Sequence, residues 1–279
     1  MKAHIITTIV MIMCALTIGI ASIVFTMYKL TDNNTSFVFS KDNEYFVPAL
    51  MAPPQESFQS IKNTIPVETQ NNSIKIPPPS SVPTQPSILW DVPFVSQAPS
   101  ANWDEPYQNF CEEAAVLMAA FWAQNKQFLS IAHQEQELNA IKNWEITEFG
   151  DYLDTDAEQT ARILTDFFHI KNVAVKKNPT VLDIKNILSK GGIVIAPTAG
   201  KMLKNPNFSG DGPLYHMLVI RGYNDKTSEF ITNDPGTRKG EKYPYSYVIL
   251  DKSIANWYSS ERTIRMDDRQ VIAVYHNEL

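Results

Sequence analysis

Apolar and polar positions divide the chain into three stretches of different character. Residues Ile5 to Tyr28 contain no Asp, Glu, Lys or Arg. As a helix rising about 1.5 Å per residue, these roughly 24 residues span about 36 Å, enough for a hydrocarbon core of about 30 Å. A cleaved secretory signal has a shorter apolar run of about 7–15 residues and a small-x-small cleavage site. Ile18-Gly19-Ile20-Ala21-Ser22 is a poor match for such a site, and the apolar run continues past it. The pattern therefore predicts one retained transmembrane helix in an anchor at residues 1–30. Lys2 on one side, and Lys29 followed by Asp32 on the other, leave little charge bias. A short tail ahead of a long soluble region favours tail inside and domain outside, a single-pass cell-membrane protein with its C-terminal domain extracytoplasmic.

Residues 31–88 hold nine of the 18 prolines and no glycine, among many Ser, Thr, Asn and Gln. That composition predicts a disordered or extended, polyproline-like linker. Residues 89–279 carry the periodicities of one packed domain. Asp91–Gln97 reads as a short edge strand, because Pro93 cannot donate to a ladder. Ala114, Leu117, Met118, Phe121 and Trp122 recur at helical spacing and predict a helix from Cys111 to Gln124. Further helices are predicted at 132–143, 157–168 and 180–189, the last capped by Thr180 and stopped by Gly191-Gly192. From residue 190 the pattern turns to strands: 193–196, then a loop at Lys201–Leu214, then 216–223, 228–233, 245–250 and 270–276. Helices first and strands later predict an α+β fold rather than alternating βαβ units.

Composition narrows the function. The net charge of −6 has no basic block to offset phosphates, which argues against nucleic acid as a partner. Of the two cysteines, Cys14 lies in the apolar run, so the soluble part has no internal disulfide. One soluble cysteine, without His-x-x-x-His or Cys-x-x-Cys spacing, disfavours a zinc site, and no cofactor is expected.

Cys111 stands where a loop becomes a helix. Unpaired N–H groups and the helix dipole at that position favour a thiolate. Lowering a thiol from about 8.5 to about 6.5 takes roughly 2.7 kcal/mol, more than the about 0.3–2 kcal/mol a dipole supplies, so a basic partner is required. His216 opens the apolar run Tyr215–Ile220 after a Gly-containing loop and is the best general base. Asp234, at Asn233-Asp234-Pro235-Gly236, would fix the imidazole tautomer; Asn233 could orient the ring without the charge. An oxyanion donor is also needed, and Gln97 is preferred to Gln108, which is only three residues from Cys111. Glu112 and Glu113 suit a first helical turn but would raise the thiol pKa if they face the sulfur.

Together, Val92-Pro93-Phe94-Val95-Ser96-Gln97, the Trp103 loop, Cys111-Glu112-Glu113-Ala114, Gly212–His216 and Asn233-Asp234-Pro235-Gly236 resemble the bacterial peptidase-like domains related to the double-glycine bacteriocin-processing cysteine peptidases. The resemblance covers roughly residues 88–275. It implies a papain-like fold, with a nucleophile helix packed on a mainly antiparallel sheet. It also implies Cys111 as nucleophile, His216 as base, Asp234 as orienter and Gln97 in the oxyanion hole. The implied activity is hydrolysis of a peptide or amide bond in a peptide or protein, cell-wall peptides included. Glu112 stands where family members often have glycine. A catalytically inactive binding module, or a cell-wall peptide amidase or transpeptidase, are the alternatives.

Overall fold

The computed structural model describes residue 83 and residues 85–277. The predicted anchor at 1–30 and most of the linker lie outside the described residues. Among the described residues no helix is long and apolar enough to cross a membrane.

The chain forms strand β1 (Ser87–Leu89), helix α1 (Cys111–Ala123), α2 (Ile131–Phe149) and α3 (Ala157–Arg162), then β2 (Val173–Lys177) and α4 (Val181–Ser189). It continues through β3 (Gly192–Ala199), α5 (Gly200–Leu203), β4 (Tyr215–Asn224), β5 (Glu229–Asn233) and β6 (Tyr243–Ser246). Helix α6 (Tyr247–Ser253), β7 (Asn256–Tyr258), β8 (Thr263–Arg265) and β9 (Gln270–Tyr275) complete it. The main sheet runs β2-β9-β3-β4-β5-β6, with β1 added against β4, and its pairings are antiparallel. The α+β expectation holds in this form.

Both faces of the sheet are covered. Along β4, Tyr215, Met217 and Val219 join the cluster around α1, while Leu218 and Ile220 join the cluster containing Ile184, Leu188 and Leu250. That is the period-two alternation of a strand buried on both sides. Helix α1 lies inside, with every residue from Cys111 to Ala123 buried, so its apolar surface runs all round rather than in one stripe.

Several boundaries differ from the sequence pattern for identifiable reasons. The edge strand is Ser87–Leu89, not Asp91–Gln97, and it takes Ser87 and Ile88 out of the predicted linker. Its close approach needs Gly222 opposite, where a Cβ would lie 2.2 Å from the Ile88 carbonyl oxygen. In the following segment the Trp90 N–H still donates to Arg221 O, and side chains add to it: Arg221 Nε donates to Trp90 O and Asn233 Nδ2 to Val92 O. Of the strand predicted at 245–250 only Tyr245 and Ser246 are extended, as the end of β6, and the rest is helical. The Ser246 hydroxyl accepts from Ile249 N, capping α6 and ending β6. The helix predicted at 157–168 is α3 followed by a π-helical turn, Ile163–Phe167. The loop at 201–214 begins with the short α5. Strand β2 and the β7-β8 pair have no counterpart among the predicted elements.

Candidate active site

The segment before α1 brings Cys111 to the wall of a cavity of about 450 Å³, which Gln97, Gln108 and His216 also line. The Cys111 and His216 side chains reach it by different routes. Cys111 belongs to the core cluster on the α1 side of the sheet. His216 alternates with Tyr215 and Met217 along β4, so its ring leaves the other face, where it meets Phe208 edge-on at 5.2 Å between centroids.

The imidazole is firmly held. His216 Nε2 lies 2.7 Å from Asp234 Oδ1, both residues being buried. Asp234 Oδ1 also accepts from Gly236 N at 3.0 Å. Its other oxygen accepts from Asn205 Nδ2 at 3.0 Å and Tyr245 Oη at 2.6 Å. Burial pushes the Asp234 carboxyl pKa up, but the His216 charge and the His216, Tyr245 and Gly236 donors outweigh it and hold the group below its usual value. An ionised acceptor requires the proton on Nε2, which leaves Nδ1 as the free base in the neutral ring. The turn is tight: a Cβ on Gly240 would lie 1.8 Å from the Asp234 carbonyl oxygen. Sequence reasoning missed Asn205 and Tyr245, which lie 29 and 11 residues from Asp234. Asn233 does not orient the ring; it binds Val92 O and Arg221 Nη1 instead.

The thiol has a different partner. Cys111 Sγ donates to Glu112 Oε2 at 2.9 Å, and among the described residues no hydrogen bond joins it to His216. Burial, then the charge and hydrogen bond of Glu112 and the charge of Asp154, push the thiol well above its usual pKa; a hydrogen bond with the Met217 backbone opposes them. Glu112 therefore faces the sulfur.

Behind the thiol lies an acidic cluster. Glu112 is 2 % exposed, and Glu113 and Glu145 are fully buried. Burial, followed by the Asp154 charge, raises Glu112 to about 8, and burial raises Glu145 to about 8. Burial, then repulsion by Glu145 and Glu112, raises Glu113 well above the usual carboxylate range. Taken as ionised, all four carboxyl oxygens of Glu113 and Glu145 lack a donor. A proton on one of the two carboxyls lets that group donate to the other, and the two then share a carboxyl–carboxylate hydrogen bond.

Gln97 lines the cavity, but its amide is committed. Nε2 donates to Tyr107 O at 3.1 Å and to Gln108 O at 2.9 Å, which uses both of its hydrogens. As placed, Gln97 braces the loop entering α1 and has no hydrogen left for an oxyanion. Gln108 Nε2 donates to Glu105 Oε1 at 2.6 Å and keeps its second hydrogen.

The model of the Peptidase_C39 like family matches residues 89–264. A crystal structure from Bacillus anthracis, described as that of a candidate C39-like peptidase, is similar with a TM-score of 0.46 and 11% sequence identity, covering 69% of this chain and 99% of that one. No curated protein matches the chain.

Proposed function

The chain belongs to the Peptidase_C39 like family, and on that premise we propose that it is a membrane-tethered, extracytoplasmic thiol hydrolase cleaving a peptide or amide bond. The observation that carries the reading is the His216–Asp234 pair, 2.7 Å apart, opening onto the cavity that Cys111 lines. Cys111 Sγ turns from Glu112 toward His216 Nδ1 and yields its proton as it attacks the substrate carbonyl carbon. The C–N bond then breaks, the imidazolium protonates the departing amine, and an acyl thioester remains. Water, deprotonated by the same imidazole, cleaves the thioester and restores the thiol. Asp234 keeps the ring in the required tautomer throughout. With Gln97 committed to the loop, the free hydrogen of Gln108 and the Cys111 backbone N–H are the oxyanion donors. Residues 5–28, which lack formal side-chain charges, form the tether.

The test is hydrolysis of a fluorogenic peptide library by the purified full-length chain. Turnover lost in both Cys111→Ser and His216→Ala supports the reading, and turnover surviving either change contradicts it. The contact between the thiol and Glu112 favours a second reading, a surface-displayed binding module that keeps the cleft without the chemistry. Peptide binding without turnover by the unmodified chain selects it.

A further inference from the structure

The cavity holding Cys111 and His216 adjoins two others. It shares Asp154 and Trp257 with a smaller cavity of about 80 Å³. On another side it shares Trp103, Ser209 and Gly236 with one of about 690 Å³. No Lys or Arg lines the middle section.

The two ends carry opposite charge. Beyond Trp103 the wall holds Arg238 and Lys239, both exposed, and among the described residues neither has an ion pair. Beyond Trp257 the wall holds Asp151 and Asp154, together with Arg262. Burial raises the pKa of the half-buried Asp154 and the Arg262 charge opposes this without cancelling it; no hydrogen bond or ion pair joins the two among the described residues. Two carboxylates against one guanidinium leave that end net negative. Each end also has an indole, Trp103 or Trp257, on which an aliphatic stem can lie. A single exposed charge means little. Opposite net charges on two cavities that adjoin the same site act together, because concave low-dielectric walls focus their fields.

We propose that the three adjoining cavities act as one groove that binds a peptide with an anionic group on one side of the susceptible bond and a cationic group on the other. The anion lies at Arg238 and Lys239, and the cation at Asp154 and Asp151. Which bond is cut rests on the thiol-hydrolase reading; the charge preference does not, since it is a property of binding.

The experiment is therefore a binding one. Hexapeptides carrying Lys and Glu at every ordered pair of positions, with Gln-for-both controls, are titrated against full-length Cys111→Ala at low and at about 0.15 M salt, where screening reaches about 8 Å. One polarity is expected to bind at least about fivefold more tightly than its neutral control, with the preference shrinking as salt rises. Arg238→Glu combined with Lys239→Glu should abolish the Glu preference and leave the Lys preference, and Asp151→Asn combined with Asp154→Asn should do the reverse. Equal binding of charged and neutral peptides, preferences that survive both double variants, or no binding at all would overturn the proposal. A charge preference in Cys111→Ala, together with no hydrolysis by the unmodified chain, would retain the proposal and refute only the thiol-hydrolase reading.

Discussion

Replacing Glu145 with Gln isolates the free energy stored in the buried acid pair. The side chain keeps its shape, loses its ionisation, and gains an amide donor that can replace the proton shared with Glu113. Glu145 has its pKa raised from 4.5 to about 8. A carboxyl whose folded pKa exceeds its unfolded value binds more protons when folded, so its contribution to stability is complete below about pH 4.5 and is lost as pH rises to about 8. The shift corresponds to at most about 5 kcal/mol; proton sharing with Glu113 and local relaxation reduce this to about 2–5 kcal/mol. Thermal unfolding between pH 4.5 and 8.5 reads it directly. For a domain of this size about 1 kcal/mol moves Tm by roughly 2–4 °C, so Glu145→Gln should melt about 5–15 °C higher than the unmodified chain at pH 8.5. Near pH 4.5 the two should differ little. A difference that does not change with pH, or a variant less stable at pH 8.5, would refute the account of the pair.

Three further outcomes follow from the same geometry. Glu112→Gln removes a charge 2.9 Å from Cys111 Sγ, so Cys111 alkylation above pH 8, where Glu112 ionises, should quicken by about tenfold; an unchanged rate would mean Glu112 does not control the thiol. Tyr245→Phe deletes the 2.6 Å donor to Asp234 and should raise that carboxyl's pKa, moving the acid limb of the pH–rate profile to higher pH and lowering kcat by roughly tenfold with KM little changed. Gly240→Ala puts a methyl within 1.8 Å of the Asp234 carbonyl oxygen and should cost about 2–3 kcal/mol in chemical unfolding, a loss that Gly210→Ala, with open space around it, should not match through packing.

What the sequence discloses depends on how local each feature is. Helix α1 and the Thr180-capped α4 follow from short-range spacing and capping, and both form within a residue of their predicted limits. The order Cys111, His216, Asp234 is visible because each residue sits at an element boundary, and the family resemblance rests on those same boundaries. The strand expected at 245–250 stops after Ser246, whose hydroxyl caps a helix that takes up the rest of the apolar run. The supports of the site are less visible still. Asn205, from the loop after α5, and Tyr245, from β6, reach Asp234 separately, and nothing in either local pattern marks them. Glu113 looks like an ordinary first-turn acid, yet α1 is enclosed on all sides and its carboxyl meets Glu145 from α2. Gln97 is legible as a conspicuous polar residue, but whether its amide serves the loop or an oxyanion depends on two carbonyls positioned only by the fold.

The central claim is that His216, oriented by Asp234, activates Cys111. It is tested most directly by the iodoacetamide alkylation rate of Cys111 in the full-length chain from pH 5.5 to 8.5, compared between the unmodified protein and His216→Ala. The account predicts alkylation near neutral pH that falls by about tenfold or more when the imidazole is removed. A slow thiol whose rate is the same with and without His216 would contradict it.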